Sequence, residues 1–534
     1  MVTSTQIVKH ASKISPKTIE LNDDFKKALH LLEDTTQHLF ITGKAGTGKS
    51  TLLEYFRSNT KKKIVVLAPT GVAALNVKGQ TIHSFFKFKP NVNVEAIKKQ
   101  TARKNKSLYK KLDAIVIDEI SMVRADILDC IDRFMRIHGQ NKNEPFGGVQ
   151  MIFIGDLYQL PPVVTSQEKL AFKLLYPSPY FFDANVFSRI TIELVELEKI
   201  YRQKDATFIK LLNAIRNNSA QTEHIEMLNK HCLKTSFLER KDEFTICLTT
   251  TNARADTINQ EKLGSLKTKT VAFEAKIMGE FKERDLPTAE HLVLKIGAQV
   301  MFLNNDLRAR WVNGSIGKIV DFENDADGEK IILVEKPDGE VVDVSPYSWE
   351  LFDYVFDQER QRIDSSTVGS FRQYPLRLAW AITIHKSQGK TFERVVLDLE
   401  RGTFAHGQLY VALSRCTNLD GLILKQPVKK SHILMDWHIV RFLTQFQYKR
   451  SDTAMPLSEK MRYIETAIAS EQKLHITYLK SNDEKSKRVI GPREIGEMEY
   501  LGKKFLGLEA YCFSRQEVRI FRIDRILEMR IADE

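Results

Sequence analysis

The sequence predicts an α/β protein of several units, and three stretches carry that prediction. The apolar run His38-Leu39-Phe40-Ile41 leads into Gly43-Lys44-Ala45-Gly46-Thr47-Gly48-Lys49-Ser50-Thr51, which fits G-x-x-x-x-G-K-[ST] between a strand and a helix. The run 112–117 ends in the paired acids Asp118-Glu119, as a buried parallel strand does when it delivers carboxylates to a sheet edge. Residues 244–248 and 378–415 then outline a second α/β unit without a glycine-rich loop of its own. It is interrupted at 266–370 by short strand-like runs and the turns Asn313-Gly314 and Asp338-Gly339, which read as an all-β insertion.

The first stretch predicts nucleoside triphosphate binding. Glycines at 43, 46 and 48 let backbone N–H groups wrap a phosphate without Cβ clashes, and the following helix N-terminus adds partial positive charge. In such a loop Ala45, Gly46, Thr47, Gly48 and Thr51 line the phosphates of the nucleotide. Lys49 reaches the β- and γ-phosphates and the Ser50 hydroxyl ligates Mg²⁺. Asp118 is positioned to hold that Mg²⁺ with Ser50, and Glu119 to polarise the attacking water. A further strand, 148–156, precedes Leu157-Tyr158-Gln159-Leu160-Pro161-Pro162. Gln159 there suits contact with the γ-phosphate, and the two prolines stiffen the exit. Asp156 suits a turn cap equally well.

Composition bounds the partners. A net charge of +12 and a pI near 9.2 point to a polyanion, with nucleic acid ahead of an anionic membrane. The five cysteines form no C-x-x-C pair, so neither structural zinc nor a disulfide framework is expected, and a reducing compartment is. Lys9, Lys13 and Lys17 break any leader-like run, and no uncharged stretch is long enough to span a bilayer. The expectation is a cytoplasmic protein without a membrane partner, with residues 1–20 flexible.

Between the nucleotide motifs lie candidate DNA elements. Strand 64–67 runs into Ala68-Pro69-Thr70-Gly71-Val72-Ala73-Ala74, and Gln80-Thr81-Ile82-His83-Ser84-Phe85-Phe86 follows. Hydroxyls, amides and aromatics thus gather past a strand's C-terminal end, where open α/β sheets bind ligands, although His83 alone reads as a core histidine. Residues 87–111 carry nine lysines and arginines with Tyr109 among them, a pattern suited to tracking a phosphate backbone. Beyond 457 a helix and alternating strands form a separate α+β domain.

The ordered motifs resemble a Pif-type (petite integration frequency) superfamily-one DNA helicase, with RecD-like helicases next nearest. The resemblance spans about 20–440 and rests on the phosphate loop, APTGVAA at 68–74, TIHSFF at 81–86, IDEISM at 117–122, GDLYQLPPV at 155–163, YRQ at 201–203, NG at 313–314, TIHKSQGKTF at 383–392 and YVALSRCTNLDGL at 410–422. It implies two RecA-like P-loop NTPase domains, the first at 21–190 with a small DNA-contacting insertion at 86–111, the second at 191–265 plus 371–445. A small barrel would occupy 266–370. Gly389 would join the ATP site, and Arg202 and Arg415 would be arginine fingers from the second domain. Pro69, Thr70, Gly71, His83, Ser84, Phe85, Thr383, His385, Lys386 and Ser387 would grip single-stranded DNA.

HITYLKSNDEKSKRVIGPREI at 475–495, YLGKKFLGLEAYC at 500–512 and VRIFRIDRI at 518–526 resemble a WYL domain, joined through a linker at 446–456. Glu499 stands where the name-giving tryptophan belongs, and Arg488, Arg493, Arg519, Arg522 and Arg525 suit a ligand or nucleic-acid surface. A second departure is Phe25, which stands where the family carries an adenine-reading glutamine. The resemblance implies a bacterial, nucleoid-associated, monomeric ATP-dependent helicase moving 5′ to 3′ on single-stranded, forked or structured DNA. A DNA-stimulated translocase or a nucleotide-gated DNA-binding regulator is the alternative.

Overall fold

The computed structural model describes residues 22–532 apart from 90–91, 98–105, 166–167, 204, 233–243, 280, 282–285, 326–327, 358–361, 401 and 501. The expected flexible segment 1–20 and the centre of the 86–111 element lie outside the described residues. Strands β1 (His38–Gly43), β2 (Ile64–Ala68), β3 (Gln80–Thr81), β4 (Ala114–Ile117), β5 (Gln150–Ile154) and β6 (Ile192–Leu197) form a parallel sheet in the order β3-β2-β4-β5-β1-β6. The central strands are apolar on both faces because helices cover both, the reason they read as unbroken hydrophobic runs. Asn22 caps the helix Asp23–Asp34 by accepting from the Phe25 amide, and that helix buries Phe25, Ala28 and Leu32 against one face.

The first sheet claims more chain than expected. Strand β6 pairs with β1 from His38↔Ile192 to Gly43↔Leu197, so the domain boundary falls after 197 rather than at 190. As an edge strand β6 keeps Glu193 and Glu196 partly exposed, and that polarity resembles the start of a new unit. The retained ends of 86–111 also fold inward. Phe86, Phe88 and Tyr109 are buried around Phe134, and the Tyr109 hydroxyl donates to the Phe85 carbonyl, so this tyrosine is core.

Strand β7 (Ile246–Thr249) opens the second sheet. The insertion follows as β8 (Thr270–Glu274), β9 (Lys276–Gly279), β10 (His291–Lys295), β11 (Gln299–Phe302), β12 (Ile316–Asn324), β13 (Lys330–Glu335), β14 (Val341–Val344), β15 (Tyr347–Asp357), β16 (Arg362–Gln373) and β17 (Leu376–Leu378). These pair among the described residues as three sheets, β10-β8, β14-β13-β12-β11-β17 and β15-β16-β9, rather than as one closed barrel. Because β17 pairs with β11, the insertion runs to 378, past the expected limit of 370. The second sheet then closes with β18 (Ala381–Thr383), β19 (Val395–Asp398) and β20 (Leu422–Leu424), in the parallel order β18-β7-β19-β20.

The C-terminal unit is an antiparallel sheet of β21 (Leu474–Leu479), β22 (Lys485–Tyr500), β23 (Lys503–Cys512), β24 (Glu517–Arg522) and β25 (Ile526–Ile531), with the helix Leu457–Ala469 packed through Ile464 and Ala467. The expected linker at 446–456 is not a loose tether. Most of it is the end of one helix, Trp437–Ala454, and Pro456 turns the chain into the next. Gln445, Lys449, Arg450, Asp452 and Thr453 form the exposed side of that helix, and their composition matches that of a linker. Buried Lys460 fastens the junction by donating to Ser451 Oγ at 2.6 Å and the Ile526 carbonyl at 2.7 Å. Trypsin should therefore cut the native chain slowly at Lys449 and Arg450 despite their exposure. Rapid cleavage there into an N-terminal body and a free C-terminal fragment would show that the helix opens readily.

Candidate active site

The phosphate loop joins β1 to the helix Lys49–Asn59. Gly46 and Gly48 adopt φ +84° and +87°, and a Cβ on Gly46 would lie 2.5 Å from that of Arg202, so glycine is required there by conformation and by space. Lys49 Nζ folds back to donate to the Gly43 carbonyl at 2.7 Å and the Lys44 carbonyl at 3.1 Å. Burial lowers its pKa, opposed by the charges of Asp156, Glu119 and Asp118. Ser50 is exposed at the start of the same helix.

Strand β4 delivers Asp118 and Glu119. Glu119 sits at φ +50°, ψ +43°, a left-handed conformation that costs a non-glycine residue on the order of 1 kcal/mol. Its carboxyl is pushed up to about 7 by burial first and then by the charge of Asp118. Asp118 is itself raised by burial, against the opposing pull of a backbone hydrogen bond and Lys49. Gln159, after β5, donates weakly to Asp156 at 3.4 Å. From the second domain Gln388 Nε2 reaches across and donates to Glu119 Oε2 at 3.0 Å and Gln159 Oε1 at 3.2 Å.

The two arginines differ in how they are held. Arg202 does not reach over from the second domain. It lies in the connector just past β6, where the Tyr201 amide donates to the Gly46 carbonyl at 2.8 Å and fixes the segment on the phosphate loop. Arg202 Nη1 is buried and has no hydrogen-bond partner among the described residues. Arg415 follows the helix Gln408–Leu413 and is only 1% exposed. It donates to the Val411 carbonyl at 2.9 Å, the Lys390 carbonyl at 3.2 Å and Ser414 Oγ at 2.8 Å. Burial, then repulsion from Arg202, pushes Arg415 down to about 9.

One cavity of about 730 Å³ gathers Ala45, Gly46, Thr47, Gly48, Lys49, Ser50, Thr51, Glu119, Gln159, Arg202, Gly389 and Arg415, with Phe25 and Tyr201 as its aromatic wall. Gly43 and Asp118 are not among its lining residues. Sequence reasoning passed over two residues here. Gln388 stands inside the TIHKSQG motif, directly before Gly389, and its amide was the available signal. Tyr410, whose hydroxyl accepts from the Ala45 amide at 3.0 Å, carried none, because an apolar helix position gives no hint of a contact across the cleft.

The expected DNA-gripping residues divide into surface and support. Thr70 is exposed and caps the helix Gly71–Asn76 by accepting from the Ala73 amide; Pro69 and Gly71 are partly exposed beside it. Ser84 is exposed and His83 half-buried, its ring edge-on to Phe88. Phe85, by contrast, is 3% exposed among Phe86, Tyr109 and Tyr354, so it serves the core and cannot stack on a base. Thr383 and Ser387 are buried as well. Ser387 Oγ donates to the Ile384 carbonyl at 2.7 Å and Thr383 Oγ1 accepts from the Lys386 amide at 3.3 Å, which shapes the turn that presents His385 and Lys386. Next to His385, stacked at 6.5 Å, lies Phe404, an aromatic 63% exposed that sequence reasoning did not single out. Asn313 ties these surfaces together, donating to Asn76 Oδ1 at 3.0 Å and accepting from Lys390.

The PIF1-like helicase family model matches residues 20–226, and the WYL domain model matches residues 459–531. The ATP-dependent DNA helicase Pif1 of Bdellovibrio bacteriovorus is 33% identical over 438 residues, which cover 80% of this chain and 93% of that protein. The protein of the same name from Campylobacter jejuni is 33% identical, over 71% of this chain and 87% of its own. Among solved structures, Bacteroides sp Pif1 in complex with ADP-AlF4 matches with a TM-score of 0.74 at 36% identity, over 81% of this chain and 98% of that one. Bacteroides Pif1 bound to ssDNA matches with a TM-score of 0.59 at 36% identity, over 81% and 97%. With its two RecA-like domains and the WYL domain that follows them, this chain belongs to the PIF1-like helicase family.

Proposed function

We propose that the cleft is the ATPase centre of an ATP-dependent DNA helicase that moves 5′ to 3′ on single-stranded DNA and unwinds duplex, forked or structured DNA. The observation that carries this reading is the crowding of Lys49, Arg202 and Arg415 into one cavity with Glu119 and Gln159. Buried like charges that repel one another are stable only beside an anion, and a triphosphate supplies it. The unpartnered Arg202 Nη1 fits a phosphoryl oxygen.

In this mechanism the loop amides and Lys49 cradle the phosphates, and Glu119 takes the proton of the attacking water. Gln159 senses the γ-phosphate, and the two arginines stabilise charge that develops as it transfers. Ser50 and Asp118 would hold Mg²⁺, which needs only one or two protein oxygens beside phosphate and water and supplies charge neutralisation. Closure of the second domain on the first brings Gln388 and Arg415 to the site, and reopening resets the grip of Thr70, Ser84, His385 and Lys386 on DNA. Among the described residues no helix is long and apolar enough to cross a membrane, and we take the enzyme to act as a monomer on nucleoid DNA in the bacterial cytoplasm. The C-terminal domain offers a further nucleic-acid or ligand surface through Arg488, Arg493 and Arg525; Arg519 and Arg522 are engaged with Glu517 and Asp524.

Lys49→Ala should abolish ATP hydrolysis and strand separation while keeping salt-sensitive single-strand binding. Hydrolysis at the wild-type rate would remove the cleft from consideration. Wild-type hydrolysis without separation of a 5′-tailed fork would reduce the protein to a translocase. The arginines should respond differently. Arg202→Ala should lose turnover by about 10³-fold or more with little change in thermal stability, since no partner of Nη1 is orphaned. Arg415→Ala should lose turnover and also about 2 kcal/mol of stability, because its buried side chain and its hydrogen bonds to Val411, Lys390 and Ser414 are lost together. Equal stability of the two variants, measured by thermal unfolding, would contradict the assignment.

A further inference from the structure

The turn between β21 and β22 lies against the motor close to the ATP site. Asp483, at φ +61° in that turn, is 8% exposed and points away from its own domain. Its Oδ2 accepts from the Tyr158 hydroxyl at 2.9 Å and its Oδ1 from Gln447 Nε2 at 2.8 Å. Asn482 donates to the Asn217 carbonyl at 3.1 Å, and Lys485 pairs with Glu196 at 2.7 Å and Glu198 at 3.1 Å. Those two glutamates stand at the end of β6, a few residues ahead of Arg202 in the connector.

From Asp483 a chain of buried contacts leads to the catalytic groups. The Tyr158 ring lies 3.9 Å from the Arg216 guanidinium, which is paired with Asp156 at 3.4 Å. Asp156 also accepts from the Tyr158 amide at 3.1 Å and from Gln159 Nε2 at 3.4 Å, and its charge is the strongest of those opposing the effect of burial on Lys49. Arg216 and Asp156 have almost no access to solvent, so their geometry depends on the groups packed around them. Tyr158 is the piece of that packing whose hydroxyl is held, among the described residues, by the C-terminal domain.

We propose that the 480–484 turn is a positioning element of the ATPase: Asp483 fixes Tyr158, Tyr158 holds Arg216 on Asp156, and Asp156 sets Gln159. The inference rests on the ATPase reading of the cleft. Asp483 is not among the residues that line the ATP cavity, and it acts through hydrogen bonds that asparagine can imitate. A turn that merely glued the two units together would change affinity and stability without a selective effect on turnover.

The test uses the full chain and compares Asp483→Ala, Asp483→Asn, Tyr158→Phe, the double variant Asp483→Ala/Tyr158→Phe, and Lys485→Ala. DNA-stimulated ATP hydrolysis, KM for ATP and single-strand affinity are measured for each. Asp483→Ala and Tyr158→Phe should each lower kcat about tenfold, the effect of one buried hydrogen bond, while KM and DNA affinity stay within about twofold. The double variant should be no worse than the poorer single one, since both break the same link. Asp483→Asn should recover most of the turnover, and Lys485→Ala should match wild type. If Asp483→Ala does not fold, Tyr158→Phe alone decides, because it removes only a hydroxyl. Full turnover in Tyr158→Phe, or an Asp483→Asn variant as poor as Asp483→Ala, overturns the proposal. Wild-type hydrolysis that survives Lys49→Ala would instead overturn the cleft reading, and this inference with it.

Discussion

The structure depends on a charge problem in the cleft between the two RecA-like domains. Lys49 and Arg202 come from the first sheet and its connector, Arg415 from the second; Arg415 is buried, Lys49 and Arg202 are partly so, and burial lowers the pKa of all three. Glu119 and Asp118 share the space and are themselves disfavoured as anions by burial. At low dielectric such an arrangement is costly unless a polyanion and a cation complete it. The cross-cleft contacts follow from this constraint. Gln388 bridges Glu119 and Gln159, and Tyr410 meets the Ala45 amide, so the two domains touch at the groups that face the phosphates.

Much of this was legible in the sequence because it resides in local pattern. A phosphate loop requires glycines at fixed spacing after a strand, and buried parallel strands are apolar on both faces, so β1, β2, β4 and β5 announced themselves. Lys49, Glu119, Gln159, Arg202 and Arg415 were recognisable as chemically suitable groups in ordered motifs. Geometry supplied what pattern could not. Nothing local tells that Phe85, Thr383 and Ser387 face inward while Ser84, His385 and Lys386 face out, since each pair shares a short motif with irregular backbone. The family resemblance places Arg202 in the second domain, and nothing local corrects it, because β6 is an edge strand whose glutamates are partly exposed.

The C-terminal domain illustrates the same limit at larger scale. A polar run between two apolar units is the usual signature of a tether, yet here it is the solvent face of the helix Trp437–Ala454. The helix and the buried Lys460–Ser451 contact fix the domain's position. The turn Lys480–Glu484 then reaches Tyr158 and Asn217, residues more than 250 positions earlier in the chain. Contacts of that sequence separation leave no periodic trace, so a docked domain and a tethered one look alike until the chain is folded.

The central claim is that ATP turnover requires the two domains to meet at the γ-phosphate end of the cleft, and Gln388→Ala tests it most directly. Gln388 is supplied by the second domain and touches only groups of the first at this site, so its removal leaves the phosphate loop and the DNA surface in place. Loss of a hydrogen bond to a buried charged group costs about 1.5–3 kcal/mol, or roughly 10- to 150-fold in rate if it is made in the transition state. The account predicts a loss of DNA-stimulated ATP hydrolysis in that range, with ATP and single-strand binding retained. Turnover at the wild-type rate on saturating single-stranded DNA would contradict it.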